Sequence, residues 1–219
     1  MATVLVTGAN RGIGLEYCRQ LRSRGDTVIA VCRSPSEELQ QLGVRIEADV
    51  DITSDESVGS LAKRLGGTPL DILINNAGIL ERVTLDDLDF DSIRQQFEVN
   101  ALGALRVIHC LLPNLREGSK VVLMTSRMGS IGDNTSGSSY GYRMSKVAMS
   151  MAGKSLSHDL KSRGIAVGVL HPGLVSTRMT GFSGISTEES VQNLLQRIDA
   201  LNLENSGTFW HAKGEILPW

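Results

Sequence analysis

A doubly wound α/β fold, one parallel sheet of about seven strands with helices on both faces, is what this sequence predicts. Three observations carry it. Short β-branched runs alternate with longer helical stretches, a pattern that implies parallel strands joined by right-handed crossovers. Several runs are apolar nearly throughout, as strands covered on both faces must be. A glycine-rich segment falls between the first strand and the first helix, and folds of this kind hold ligands at the carboxyl ends of their strands.

Taken in order, TVLVT (3–7) is the first strand, and VTGANRGIGLE leads from it into a helix over Gly12–Arg24. TVIAVC (27–32) and VRIEAD (44–49) are the next strands, followed by a helix over Ser54–Leu65. DILIN (71–75) precedes a long helical stretch, Phe90–Leu115. KVVLMT (120–125), a helix over Tyr142–Arg163 and IAVGVL (165–170) complete the next strand–helix–strand unit. The helix Thr187–Leu201 opens with STEES, an N-terminal capping signal, and TFW is a last short strand ahead of EILPW. No repeat, low-complexity tract or linker divides the chain, so residues 1–219 read as one domain.

Composition narrows the function. Hydrophobic residues at 41% and charged residues at 21% are in the balance of a soluble globular protein. A formal net charge of -2 gives no general attraction to nucleic acid or acidic membranes, and neither is expected as a partner. Cys18, Cys32 and Cys110 are odd in number and far apart, which suits buried thiols in a reducing compartment. His109, His158, His171 and His211 are scattered, so no metal site is expected. MATVLVTGAN lacks the pattern of a signal peptide and no apolar run reaches membrane-spanning length, so a cytoplasmic location is expected.

Gly8, Gly12 and Gly14 are spaced G-x-x-x-G-x-G. Glycines there let the backbone turn sharply and approach a pyrophosphate, which sits at a helix N-terminus among unpaired N–H groups. Dinucleotide folds selective for NAD place a carboxylate at the end of the second strand, on the ribose 2′-hydroxyl. AVCRS puts Arg33 there instead, and Arg11 adds a charge within the glycine loop. A guanidinium pairs with a 2′-phosphate that a carboxylate would repel, so NADP is expected rather than NAD.

In SSYGYRMSK, Tyr142 and Lys146 are four residues apart and share a helix face, whereas Tyr140 does not face the lysine. An ammonium beside a phenol favours the phenolate, so Tyr142 is expected to be the more acidic tyrosine and a group for proton transfer.

T-G-x-x-x-G-x-G (Thr7–Gly14), NNAG (Asn75–Gly78), Asn100, a serine ending the fifth strand, Y-x-x-x-K (Tyr142–Lys146) and PGLVST (Pro172–Thr177) occur in order along the whole chain. Together they resemble the short-chain dehydrogenase/reductase family. TSRMGSIGDN with YGYRMSK is similar to its C-factor/sniffer-like carbonyl reductase branch. The resemblance implies a Rossmann-like domain and hydride transfer between a nicotinamide and a small carbonyl or alcohol. It implies Tyr142 as proton donor or acceptor, and Lys146 lowering its pKa and bonding the nicotinamide ribose. A serine would hold the substrate oxygen, and Asn100 would anchor a water between Lys146 and solvent.

The implied cofactor contacts are Gly8, Asn10, Arg11, Gly12, Ile13, Gly14, Arg33, Asp49, Val50, Asn75, Ala77, Gly78, Tyr142, Lys146, Pro172, Gly173, Val175 and Thr177. Asp49 as a turn residue, Asn75 as a strand cap and Thr177 as a helix cap are the structural alternatives. Ser126 precedes Tyr142 by more than the family spacing, while Ser130 fits that spacing. Ser126 is preferred because it directly follows a strand. Met128, Ile131, Met179, Phe182 and Ile185 suggest a modest apolar pocket, although Ile185 serves equally as a seal between helix and sheet. A signalling or regulatory protein of C-factor type is the alternative to an enzyme. Family members assemble through helices matching Phe90–Leu115 and Tyr142–Arg163, so a homodimer or homotetramer is expected.

Overall fold

The computed structural model describes residues 1–219. Its elements are β1 (Thr3–Thr7), α1 (Gly12–Ser23), β2 (Thr27–Val31), α2 (Glu37–Gln41), β3 (Arg45–Glu47), α3 (Asp55–Leu65) and β4 (Leu70–Asn75). The chain continues through α4 (Phe90–Phe97), α5 (Gly103–Leu111), β5 (Leu115–Met124), α6 (Tyr140–Asp159), β6 (Ala166–His171), α7 (Thr187–Ala200) and β7 (Phe209–His211). The strands form one sheet in the order β3-β2-β1-β4-β5-β6-β7, and every neighbouring pair is parallel. This is the predicted Rossmann-like architecture. After β3 the chain returns to the middle of the sheet, so the order reverses between β1 and β4. A crevice opens at the carboxyl ends of strands at such a reversal.

Alternation along the strands divides the core into two layers. Leu5, Ile29, Leu73, Val121 and Val167 face Leu61 of α3 and Val107 and Ile108 of α5. Val4, Val6, Ile74, Val122 and Leu170 face Tyr17 and Leu21 of α1 and Leu194 and Ile198 of α7. Each such side chain, removed from water, contributes about 1.5–3 kcal/mol before the entropy of ordering is counted.

Several predicted elements differ from those observed. The stretch Phe90–Leu115 is not one helix: a π-helical turn, Glu98–Leu102, separates α4 from α5, and a 3₁₀ turn, Leu112–Asn114, ends it. The π turn surrounds Asn100, whose side chain bonds to a neighbouring loop. Pro113, with no N–H to donate, ends the helical pattern. The strand expected over 44–49 contracts to Arg45–Glu47 because Asp49 turns into the left-handed region at φ 56. α6 starts two residues earlier than predicted, at Tyr140, and β5 begins at Leu115 with an irregularity opposite β4. The short α2 was not foreseen. Ser36 caps it through Leu39 N–H, and only Leu39 in it is buried, too little apolar periodicity to read. No helix is long and apolar enough to cross a membrane.

Candidate active site

The site grows from the reversal point. The Thr7 hydroxyl, at the end of β1, accepts the N–H groups of Asn76 and Ala77 beyond β4, each at 3.1 Å. The Asn76 amide donates back to the carbonyls of Thr7 and Gly8. These bonds hold the two loops so closely that a Cβ on Gly8 would lie 2.8 Å from Ala77 Cα. A Cβ on Gly14 would lie 2.1 Å from the Gly8 carbonyl oxygen, so only glycine fits there. α1 begins at Gly12 with Arg11 as its extended N-cap and no side-chain cap, leaving its first N–H groups for an anion. Asn10 lies in the same turn and Ile13 packs against the core behind it.

Along one side of this loop lies the end of β2. Arg11 and Arg33 are exposed and engage no carboxylate. Asp49 N–H bonds to Arg33 O at 3.1 Å and Val50 N–H to Cys32 O at 3.2 Å, folding the β3 loop beside β2. Val50 is buried in the core, so what it offers at the crevice is backbone. Asn75 is 2% exposed, and neither its amide nitrogen nor its carbonyl oxygen has a partner in the chain. Buried polar side chains are almost always satisfied. An uncapped helix, two free guanidiniums and this orphaned amide, set around a crevice, are the donor set a phosphorylated dinucleotide requires.

The opposite side carries the acid–base groups. Tyr142 is 7% exposed and Lys146 4% exposed, both on the inner face of α6. Lys146 Nζ donates to Met124 O at 2.8 Å and lies 5.7 Å from the centre of the Tyr142 ring. The ammonium is thus held over the ring and on the end of β5. Burial pushes the Tyr142 phenol up to about 12, with the Ser126 hydroxyl pulling the other way, and burial brings Lys146 down to about 8. The expected acidifying effect of Lys146 on Tyr142 does not set the direction of the shift in this geometry: dehydration of the phenol does, and it favours the neutral form.

Asn100, fully buried, donates its amide to Ile79 O and Ser145 Oγ, each at 2.9 Å, and accepts Ile79 N–H at 2.8 Å. Its π turn belongs to a class of irregularity that accompanies functional sites. Gly78 brings the NNAG loop up to both groups: a Cβ there would lie 3.1 Å from Asn100 Oδ1 and 3.4 Å from Lys146 Nζ.

Of the two candidate serines, Ser126 stands two residues past the end of β5, after Thr125. Its hydroxyl accepts Met128 N–H at 3.1 Å and also acts on Tyr142. The Ser130 hydroxyl accepts Asp133 N–H at 3.1 Å within its own loop. Beyond β6, Pro172 and Gly173 turn the chain, Gly173 at φ 89. Val175 is buried and bridges to Ile185, and Thr177 reaches the glycine loop, its methyl 3.4 Å from where a Gly12 Cβ would stand. Two groups escaped the sequence reading. Asn76 is visible only as the second asparagine of NNAG. Arg143 has no sequence signal, yet its guanidinium donates to Gly137 O, Ser138 O, Met128 O and Ser136 Oγ, gathering the loop ahead of α6.

A family model for short chain dehydrogenases matches residues 2–188. The chain is 46% identical, over the full length of both, to 1-hydroxy-2-glutathionyl-2-methyl-3-butene dehydrogenase of Rhodococcus sp. strain AD45. It is 45% identical to the C-signal protein of Myxococcus xanthus over 69% of this chain and 93% of that one. Among solved structures, the NADPH-bound carbonyl reductase from chicken fatty liver superposes with a TM-score of 0.92 at 30% identity, over 100% of this chain and 99% of the other.

Proposed function

This chain belongs to the short-chain dehydrogenase/reductase family, and from that premise we propose that it is an NADP-dependent enzyme interconverting a small carbonyl compound and its alcohol. The observation that carries the reading is the convergence of Tyr142, Lys146, Asn100 and Ser126 beside a crevice whose other side presents Arg11, Arg33 and Asn75. When bound, the nicotinamide supplies or accepts the hydride. Arg33 and Arg11 would hold the 2′-phosphate, the α1 N-terminus would take the pyrophosphate, and Asn75 would satisfy its amide on the adenosine side. Gly8, Asn10, Gly12, Ile13 and Gly14 form the cradle, with Asp49 and Val50 beside the adenine. Ala77, Gly78, Pro172, Gly173, Val175 and Thr177 complete the binding surface toward the nicotinamide.

In the reducing direction, the neutral Tyr142 phenol gives its proton to the substrate oxygen, which Ser126 also holds. Lys146 stays cationic up to about pH 8 and steadies the charge left on the phenol. Asn100 fixes the π turn and offers a polar path from Lys146 outward. Ser126 is favoured over Ser130 because its hydroxyl acts on the phenol, whereas Ser130 is spent on its own turn. Exposed Ile131, Met179 and Phe182 favour an apolar substrate body. The similarity to a dehydrogenase acting on a hydroxy compound supports alcohol oxidation as the reverse activity.

We read residues 1–219 as one catalytic unit working in the cytoplasm, where Cys18, Cys32 and Cys110 remain free thiols. Exposed Leu102 and Leu105, at the start of α5, and exposed Met144 and Met151, on α6, support a homodimer through these helices, which sedimentation at several concentrations tests. Similarity to a C-signal protein favours a second reading, a signalling protein with incidental turnover. The test is a panel of aldehydes and ketones with NADPH or NADH, followed by cofactor absorbance. Oxidation of NADPH in preference to NADH is expected. Tight NADPH binding with no turnover across the panel would favour the signalling reading.

A further inference from the structure

The loop between β5 and α6 carries Ser126 and leads to Tyr142, and it is held from two sides. On the helix side, Gly129 lies so close to α6 that a Cβ would stand 2.8 Å from the Lys146 carbonyl carbon, and Arg143 binds the loop as described. The other side rests on a segment that the mechanism leaves unused. After β7 the chain turns back at Gly214, with His211 N–H bonded to Glu215 O at 2.8 Å and Leu217 N–H to Phe209 O at 2.8 Å. Leu217 is buried against Val169 and Phe209, and the Trp219 ring stacks on Phe209 with centroids 5.6 Å apart. Anchored this way, the segment meets the serine loop twice. Gly132 N–H donates to the Trp219 backbone oxygen at 2.8 Å, and Glu215 Oε1 pairs with Arg127 Nη2 at 2.8 Å.

Arg127 is the residue after Ser126. Its Nε also faces Asp133 Oδ2 at 3.1 Å, and both of these atoms are shielded from solvent without an aligned hydrogen bond. The side chains themselves are partly exposed, so each pair is modest in energy, and what they contribute is a fixed geometry for the loop. Arg127 therefore ties the start of the loop to its own middle and to the segment after β7. Beneath it lie His171 and His211, edge to face at 5.0 Å. Burial, His211 and the Arg127 charge hold His171 near pKa 3, so it stays neutral beneath the guanidinium.

We propose that Glu215–Trp219 is a strap that positions Ser126: through Arg127 and Gly132 it fixes the turn from which the serine meets the substrate oxygen. Glu215 and Arg127 are positioning residues, acting through Ser126. The catalytic part of this inference rests on the oxidoreductase reading; the mechanical part does not.

The experiment compares wild type with Glu215→Gln and Trp219→Ala, using Glu204→Gln as a control at a remote exposed carboxylate. Amide hydrogen exchange across Arg127–Gly137 is measured without substrate, NADPH affinity by fluorescence, and kcat and KM with a carbonyl that wild type reduces. Loss of the strap should speed exchange in that segment about fivefold or more and lower kcat by about three- to tenfold. NADPH affinity and the control should be unchanged. Unchanged exchange in both variants overturns the strap, whatever the activities. Faster exchange with full kcat overturns the positioning role. Equal losses of NADPH affinity and turnover also overturn it, since the effect would then be general. If wild type reduces no carbonyl, the oxidoreductase reading fails, and faster exchange alone then upholds the strap as a clamp.

Discussion

The half of the molecule built on β1–β4 and the half built on β5–β7 solve different problems. From Ala2 to Thr84 no large apolar side chain is exposed, and the loops are drawn together at Gly8 and Gly14 and tied by the side chains of Thr7 and Asn76 to facing backbone. In the other half Ile131, Leu174, Met179, Phe182 and Ile216 stand exposed on loops, and Ser138, Ser139 and Phe182 adopt left-handed backbone that such residues rarely take. On the proposed function, the first half would be shaped to one cofactor of fixed geometry. The second would offer its apolar surface to a substrate, and side-chain ties such as Arg143 and Arg127 hold its loops. Damage to the first half should remove cofactor binding, whereas damage to the second should change turnover with cofactor binding intact.

The largest break in that contrast should come at Gly14→Ala. Its new methyl would lie 2.1 Å from Gly8 O and 2.7 Å from Asn76 Nδ2. Overpacking of this kind costs about 1–3 kcal/mol, and NADPH binding should vanish before the fold does. Calorimetry and a fluorescence titration would show whether the two losses part in this way; retained affinity would contradict the cradle.

Lys146→Met should abolish turnover and yet stabilise the fold. A buried lysine whose pKa has fallen from 10.5 to about 8 holds its proton in both folded and unfolded chains below pH 8, where the fold carries the whole penalty of a buried cation. Between pH 8 and 10.5 the unfolded chain binds more protons, so this residue's contribution improves as pH rises. The stability advantage of the variant should thus be widest below pH 8 and shrink above it. An advantage that stays constant to pH 10.5 would contradict a buried charge.

Arg33→Ala is a narrower break. One charge-assisted contact to a phosphate is worth about 1.5–3 kcal/mol, so NADPH affinity should fall roughly 10- to 100-fold while NADH affinity barely moves. Equal losses would remove the NADP preference. The smallest effect is expected from Phe182→Gly. Relief of left-handed strain at φ 60, less the freedom that glycine adds to the unfolded chain, should raise Tm by about 2 °C. KM for an apolar carbonyl should rise at the same time, with NADPH affinity unaltered.

The same contrast explains what the sequence disclosed. Strand–helix alternation and the glycine spacing reveal a sheet reversing at β1 and β4 because those features depend on local periodicity and on glycine's unique geometry. Tyr142 and Lys146 are legible because four residues make one helical turn. The direction of the Tyr142 shift was not, since it depends on where Lys146 Nζ points and on how completely the phenol is dehydrated. Helix periodicity alone cannot reveal the π turn at Asn100, which forms because that side chain bonds to Ile79 across the fold. Arg143, Arg127 and Glu215 act through contacts between distant stretches, and their residue types are common on any surface. Ser126, four residues from the customary spacing, is a candidate the sequence offers because the end of a strand is a fixed place.

The most direct test joins two quantities in one preparation of Tyr142→Phe: NADPH affinity, and the single-turnover rate of NADPH oxidation with a carbonyl that wild type reduces. Affinity should stay within about twofold while the rate falls roughly 10²- to 10⁴-fold, the loss of a positioned proton donor. A variant that binds NADPH and reduces the carbonyl at the wild-type rate would contradict Tyr142 as the acid.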